Sequence, residues 1–192
     1  LKKTLAIHEI RKEFFNVPLE NYILTFDDGL YSQYYYWPLI KKIKTKKTFF
    51  ITTNFIGNGP KREQFSEEHR EFPSCYDALQ SWKDKGNREN YMRLSELKEM
   101  INDGAVIGGH SHNHIKFYEG SLVKKIDDIC DDIEAMIDWF KIHLNFVPDE
   151  YAYPHYEDFI FLKILLKDYG FNKLYGRERI EIEKEENIFP FL

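Results

Sequence analysis

Tyr22-Ile23-Leu24-Thr25-Phe26-Asp27-Asp28-Gly29 joins a short apolar run to two carboxylates and a glycine. The run has the length and the β-branched and aromatic content of a buried strand. Asp-Asp-Gly is turn chemistry, and it stops the strand with two acids at its carboxyl end. Upstream, Leu5-Ala6-Ile7-His8 reads as another short strand; downstream, Thr48-Phe49-Phe50-Ile51-Thr52 reads as a third. Ala105-Val106-Ile107 is a strand leading into Gly108-Gly109-His110, Tyr151-Ala152-Tyr153 is one halted by Pro154, and Asn172 to Tyr175 is a last one.

Helical patterns fill the intervals. Tyr31 to Ile43 predicts a helix, and so does the stretch with Leu97, Met100 and Ile101, with Ser95 as its cap and an end near Gly104. The clearest period runs from Leu122 to Leu144, where Leu122, Ile126, Ile129, Ile133, Ile137, Phe140 and Leu144 form one apolar stripe. Phe159 to Tyr169 is a further helix closed by Gly170. Strands alternating with helices predict a parallel α/β architecture. The 192 residues suit a single domain over 1–192 or a small α/β barrel. Residues 57–90 are polar and read as an insertion or lid.

Composition narrows the function classes. Hydrophobic residues make up 43% and charged residues 31%, a globular balance. The net charge of −5 and the absence of a concentrated basic run speak against nucleic acid as a partner. The five lysines of Lys41–Lys47 read as a solvated helix end. Aromatics reach 17%, which serves a core as readily as a sugar platform. Cys75 and Cys130 have neither zinc-ribbon nor redox spacing. Low cysteine use fits a reducing compartment, and no secretory h-region or membrane span is visible, so a cytoplasmic location is the expectation. The first residue is Leu rather than Met, which leaves a removed leader open.

Parallel sheets bind ligands at the carboxyl ends of their strands. Asp27-Asp28 stand at one such end, His110-Ser111-His112-Asn113-His114 at another, and Pro154-His155 at a third. A carboxylate and two imidazoles suit Zn²⁺ or a similar borderline metal with an open position for water. Of two adjacent aspartates, one can bind the metal while the other stays free to take a proton from the attacking water. These are the minimal parts for metal-assisted amide hydrolysis.

Leu24-Thr25-Phe26-Asp27-Asp28-Gly29 resembles the TFDDG motif of the polysaccharide deacetylase (NodB-homology, carbohydrate esterase 4) family. Thr48-Phe49-Phe50-Ile51 resembles its next strand, and the segment ending in His110-Ser111-His112-Asn113-His114 is similar to its HSxxH motif. Ala152-Tyr153-Pro154-His155 looks like a variant of its third motif, and Asp168-Tyr169-Gly170-Phe171 is similar to a later segment. The order and spacing agree from Leu5 to about Tyr175. The resemblance implies a distorted (β/α) barrel of the NodB-homology type that hydrolyses the N-acetyl group of a sugar. It implies Asp27 as catalytic base, and Asp28, His110 and His114 as ligands of one divalent metal. Zinc is the default, with Co²⁺, Ni²⁺ or Mn²⁺ as alternatives. Ser111 would support the loop, while Tyr153, Pro154 and His155 would form the substrate and oxyanion side, with the His155 N–H as donor. His112 falls at a position the family pattern leaves free and reads as a non-ligand. Trp139 reads as a packing or surface residue of its helix.

Two departures stand out. The third motif commonly begins with an Arg that braces the base, and here the position is Ala152. The usual C-terminal motif with its general-acid His is also absent. Relatives with circularly permuted motifs carry that His near the N-terminus in a YHxV-like segment, which Leu5-Ala6-Ile7-His8-Glu9-Ile10 resembles. His8 is therefore the candidate acid. The rival readings are a degenerate domain that binds carbohydrate or metal without turnover, and a structural domain with incidental turns. The expected partner is an N-acetylated saccharide; its identity, the role of His8 and the substitute for the Arg stay open.

Overall fold

The computed structural model describes residues 2–116 and 121–181. Its sheet is built from β1 (Thr4–Ile7), β2 (Ile23–Phe26), β3 (Lys47–Ile51), β4 (Val106–Gly109), β5 (Glu150–Ala152), β6 (Lys173–Tyr175) and β7 (Ile180–Glu181). All neighbours pair in parallel, in the order β6-β5-β4-β3-β2-β1-β7. The sheet curls into a distorted (β/α) barrel whose two edges are β6 and β7. Its helices are α1 (Tyr31–Tyr35), α2 (Trp37–Ile40), α3 (Cys75–Lys85), α4 (Leu94–Asn102), α5 (Leu122–Leu144) and α6 (Ile160–Asp168). None of the described helices is long and apolar enough to cross a membrane.

The apolar strand runs are buried because parallel strands are covered on both faces. Leu24, Phe26, Phe49, Phe50 and Ile51 are fully buried, and Phe26 stacks on Phe49 with ring centroids 4.5 Å apart. Pairs of this kind contribute about 0.5–1.5 kcal/mol beyond their buried area. The stripe on α5 faces the core through Ile129, Ile133, Ile137 and Phe140; the side chain of Leu122 lies outside the described residues.

Gly108 and Gly109 extend β4 instead of ending it, a difference from the strand expected at 105–107. The reason is close packing. A Cβ on Gly108 would lie 2.4 Å from the Phe50 ring, and one on Gly109 would lie 2.8 Å from the sulfur of Met136. Glycine is the residue that lets neighbours approach a strand so closely.

The helix expected over Tyr31–Ile43 is split between α1 and α2 at Tyr36. Pro38 causes this: it lacks the N–H that would continue the first helix, but it is tolerated in the first turn of the second. The α4 cap also differs. The helix begins at Leu94, and Glu96 accepts from the Arg93 N–H at 2.8 Å. Ser95 donates instead to the Gly59 carbonyl at 2.8 Å.

Residues 57–90 contain a helix that the polar composition hides. Ser74 caps α3 by accepting from the Asp77 N–H, and Gly86 ends it at a φ of 63°. The segment before α3 is fastened to α1 and to the residue that follows it by tyrosine hydroxyls. Tyr31, Tyr35 and Tyr36 donate to the carbonyls of Glu63, Glu68 and Arg70 at 2.9, 2.9 and 3.0 Å. Arg62 adds a forked pair with the fully buried Glu96, Nε–Oε1 2.8 Å and Nη2–Oε2 2.9 Å, and lies 3.6 Å over the Tyr31 ring. Much of the aromatic content thus serves the core and this strap together.

Candidate active site

The ends of β1, β2 and β4 converge. Gln33, fully buried on α1, donates through Nε2 to the carbonyls of Asp27 at 2.6 Å and His8 at 3.0 Å, locking two strand ends together. Immediately after β2 the backbone turns left-handed at Asp28 (φ 71°) and Gly29 (φ 76°). Aspartate and glycine tolerate that conformation better than most residues. The turn aims both carboxylates inward, where Asp27 and Asp28 are almost wholly buried.

His110 follows β4 and donates through Nδ1 to the Ala152 carbonyl at 2.8 Å. A carbonyl only accepts, so Nδ1 carries the hydrogen and Nε2 of the neutral ring is a bare lone pair. That lone pair faces Asp28 Oδ1 at 3.4 Å, and His114 Nε2 lies 3.2 Å from the same oxygen. Asp28 Oδ1 is buried and has no hydrogen-bond partner among the described residues. The three ligand atoms lie within 4.8 Å of one another. Acceptors packed around one point repel unless a cation sits between them, so the donor set fits a divalent metal. Burial opposes protonation of His110, but Asp27 and Asp28 outweigh it and raise its pKa, whereas burial pushes His114 down to about 3. The cluster draws positive charge toward Asp28.

Asp27 points elsewhere. Nη1 of Arg179 bridges both of its oxygens, at 2.7 and 2.8 Å, and neither side chain is more than 2% exposed. Burial resists ionisation of Asp27, but the Arg179 guanidinium, supported by His110 and His8, holds its carboxyl below the usual range. Arg179 comes from the turn leading into β7 and lies 4.9 Å from the Tyr156 ring centre. The guanidinium expected at position 152 is therefore supplied 27 residues later, as the numbering shows (179 − 152).

The other expected residues divide. His8 follows β1 and is close enough for its charge to act on Asp27, Asp28 and His114. His155 takes a left-handed φ of 54° and sets its exposed ring edge-on to His114 at 4.4 Å. Pro154 and Tyr153 are buried; Tyr153 packs on Tyr151, and burial pushes its hydroxyl up to about 12. His112 turns away from the cluster, its Nδ1 2.7 Å from Thr53 Oγ1. Trp139 packs on His143 at 4.9 Å beside a cavity of about 180 Å³ shared with His112, Asn54 and Arg88.

Ser111 donates to Asp132 at 2.6 Å, and Asp132 also accepts from the His112 and Asn113 N–H groups at 2.8 Å each. Sequence reasoning missed Arg179, Gln33 and Asp132. Asp132 carried a signal: it is an acid on the apolar side of α5, three residues after Ile129 and four before Met136.

Comparison with known proteins bears on the family and the fold. A family model described as polysaccharide deacetylase matches residues 16–158. Among solved structures, IcaB from Ammonifex degensii superposes with a TM-score of 0.66 at 18% identity, covering 97% of this chain and 87% of that one. A de-N-acetylase from Aggregatibacter actinomycetemcomitans gives 0.63 at 13% identity, with 91% and 87% covered. The BpsB deacetylase domain from Bordetella bronchiseptica gives 0.58 at 15% identity, with 83% and 69% covered. No protein of curated function matches the chain in sequence.

Proposed function

The chain belongs to the polysaccharide deacetylase family, and on that basis we propose that it removes the N-acetyl group of an amino sugar in a polysaccharide or saccharide precursor. The observation that carries the reading is the bare Nε2 of His110 facing the unpartnered Oδ1 of Asp28. Asp28, His110 and His114 would hold one divalent cation, and the mixed nitrogen and oxygen set makes zinc the first choice over Co²⁺, Ni²⁺ or Mn²⁺. Such an ion supplies Lewis acidity, easing deprotonation of water and polarising the acetyl carbonyl.

The remaining chemistry belongs to the side chains. Asp27 is the base: its carboxylate is ionised, buried and fixed in direction by Arg179, so it can take the proton of the attacking water. Water oxygen adds to the acetyl carbon, the C–N bond breaks, and the leaving nitrogen needs a proton. His8, at the neighbouring strand end, is the group assigned to give it. The His155 N–H is assigned to the developing oxyanion, a contribution of about 3 kcal/mol when such a donor is well placed. Arg179 also removes one of the two grounds for a domain that binds without turnover, the missing arginine at Ala152; the other is the absent C-terminal His.

The test is acetate release from N-acetylglucosamine oligomers and nucleotide-linked N-acetyl sugars by zinc-reconstituted protein, with Asp27→Asn as control. Release that disappears in the control is the expected result. Stoichiometric zinc binding without release from any of these substrates would count for the binding-only reading.

A further inference from the structure

We infer that Asp132, a residue of α5 outside the ligand set, is the positioning residue that sets the geometry of the two histidine ligands. The inference rests on the metal reading of Asp28, His110 and His114. The loop between the histidines is not self-supporting, because Ser111 and His114 both sit at left-handed φ values, 71° and 53°. Non-glycine residues hold that conformation only where their surroundings impose it.

The imposed contacts come from two sides. On one, the Thr53 and Asn54 N–H groups donate to the Ser111 and His112 carbonyls at 3.2 and 3.0 Å. On the other, the buried Asp132 carboxylate collects the Ser111 hydroxyl at 2.6 Å on Oδ2, the His112 N–H at 2.8 Å on the same oxygen, and the Asn113 N–H at 2.8 Å on Oδ1. One carboxylate thus takes hydrogen bonds from consecutive residues of the ligand loop, and bonds of this length to a carboxylate are strong and directional.

The carrier of that carboxylate is rigid. Ile129, Ile133 and Met136, its neighbours along α5, are buried in the core, and the Met136 sulfur would lie only 2.8 Å from a Cβ on Gly109. The same helix face therefore fixes the end of β4, which bears His110, and the loop that ends in His114. Asp132 touches neither imidazole ring in this arrangement; it acts through backbone and hydroxyl groups. Residues in this relation to a metal site change its affinity by about 10- to 100-fold.

The experiment compares zinc affinity, by competition with a chromophoric chelator, for the full chain and its Asp132→Asn, Asp132→Ala and Ile133→Val variants, with metal-free melting temperatures measured alongside. The isosteric amide keeps one acceptor oxygen but turns an NH₂ group toward a backbone donor. Asp132→Asn is expected to weaken zinc binding roughly 10-fold, and Asp132→Ala up to about 100-fold, through faster zinc release. Ile133→Val loses a buried methylene beside Asp132 and is expected to lower the melting temperature while leaving zinc affinity within about 2-fold. Zinc affinity unchanged in both Asp132 variants overturns the inference. So does an equal loss in Ile133→Val, which would mark a general loosening of α5. Failure of the unsubstituted chain to take up zinc overturns the metal reading itself, and shows before any substitution is compared.

Discussion

Two buried carboxylate sites lie at opposite ends of the same sheet, and they are treated in opposite ways. At the amino ends of the strands, Glu150 on β5 accepts from Lys46 at 3.1 Å, Lys173 at 3.2 Å, Thr48 at 3.0 Å and Tyr175 at 2.9 Å. Burial resists its ionisation, but the Lys46, Tyr175, Lys173 and Thr48 hydrogen bonds outweigh it and lower its pKa. At the carboxyl ends, Asp28 presents to two imidazole nitrogens an oxygen with no hydrogen-bond partner among the described residues, and Asp27 has one guanidinium nitrogen across both oxygens. Glu150 is closed by its neighbours and holds strands together. Asp28 is left open, a state a fold keeps only where something else completes it.

The largest expected effect lies at the open end. Asp27→Asn should lower acetate release about 100- to 10,000-fold, the range for a lost general base, while zinc stays bound. Near-normal turnover in that variant would remove the base assignment. Arg179→Ala should come next. It leaves a buried carboxylate without its cation, a loss of about 3–5 kcal/mol in pairs of this kind, so both melting temperature and kcat should fall. Arg179→Lys should recover part of each, since it restores the charge without the guanidinium geometry. His8→Ala should reduce kcat about 100-fold with zinc affinity intact if it is the acid; an unchanged kcat would return it to a structural role.

The smallest effect belongs to the closed end. Glu150→Gln should cost about 1–2 kcal/mol of stability and leave zinc binding and kcat unchanged. Its pH dependence sharpens the contrast. The folded-state pKa of Glu150 is depressed, so the unfolded chain binds its proton first as pH falls. The stability it contributes is present above the unfolded carboxylate pKa and is lost as pH falls through the folded one. The gap between the original chain and Glu150→Gln, read from urea melts, should be flat near neutrality and close in acid. A gap that widens there would contradict the pairing.

What was legible in the sequence was local. Asp27-Asp28-Gly29 and His110 to His114 each sit at one strand end, so a few neighbouring residues display both the strand and its cargo. The α5 stripe was legible for the same reason, since periodicity is a short-range signal. Arg179 was not. It stands in Arg177-Glu178-Arg179-Ile180-Glu181, a charged run that reads as surface, ahead of a strand of only two residues. Its partner lies 152 positions away, and nothing nearby marks it for burial. Helix α3 fell between these cases. Its cap at Ser74 and its stop at Gly86 lie inside the polar stretch read as an insertion, and Ala78 is its only fully buried side chain, too little for a stripe.

The distance between Asp27 and Arg179 bears on how the chain is made. Asp27 leaves the ribosome 152 residues ahead of the guanidinium that will ionise it. Through most of synthesis, a barrel that closes over β2 must bury this carboxyl protonated or leave it in water. The Arg179–Asp27 pair forms only when β7 adds to β1, through the pairs Leu5↔Ile180 and Ala6↔Glu181. On the proposed reading, hydrolytic competence waits on this edge strand, and a nascent domain with its histidine loop already folded would still lack it.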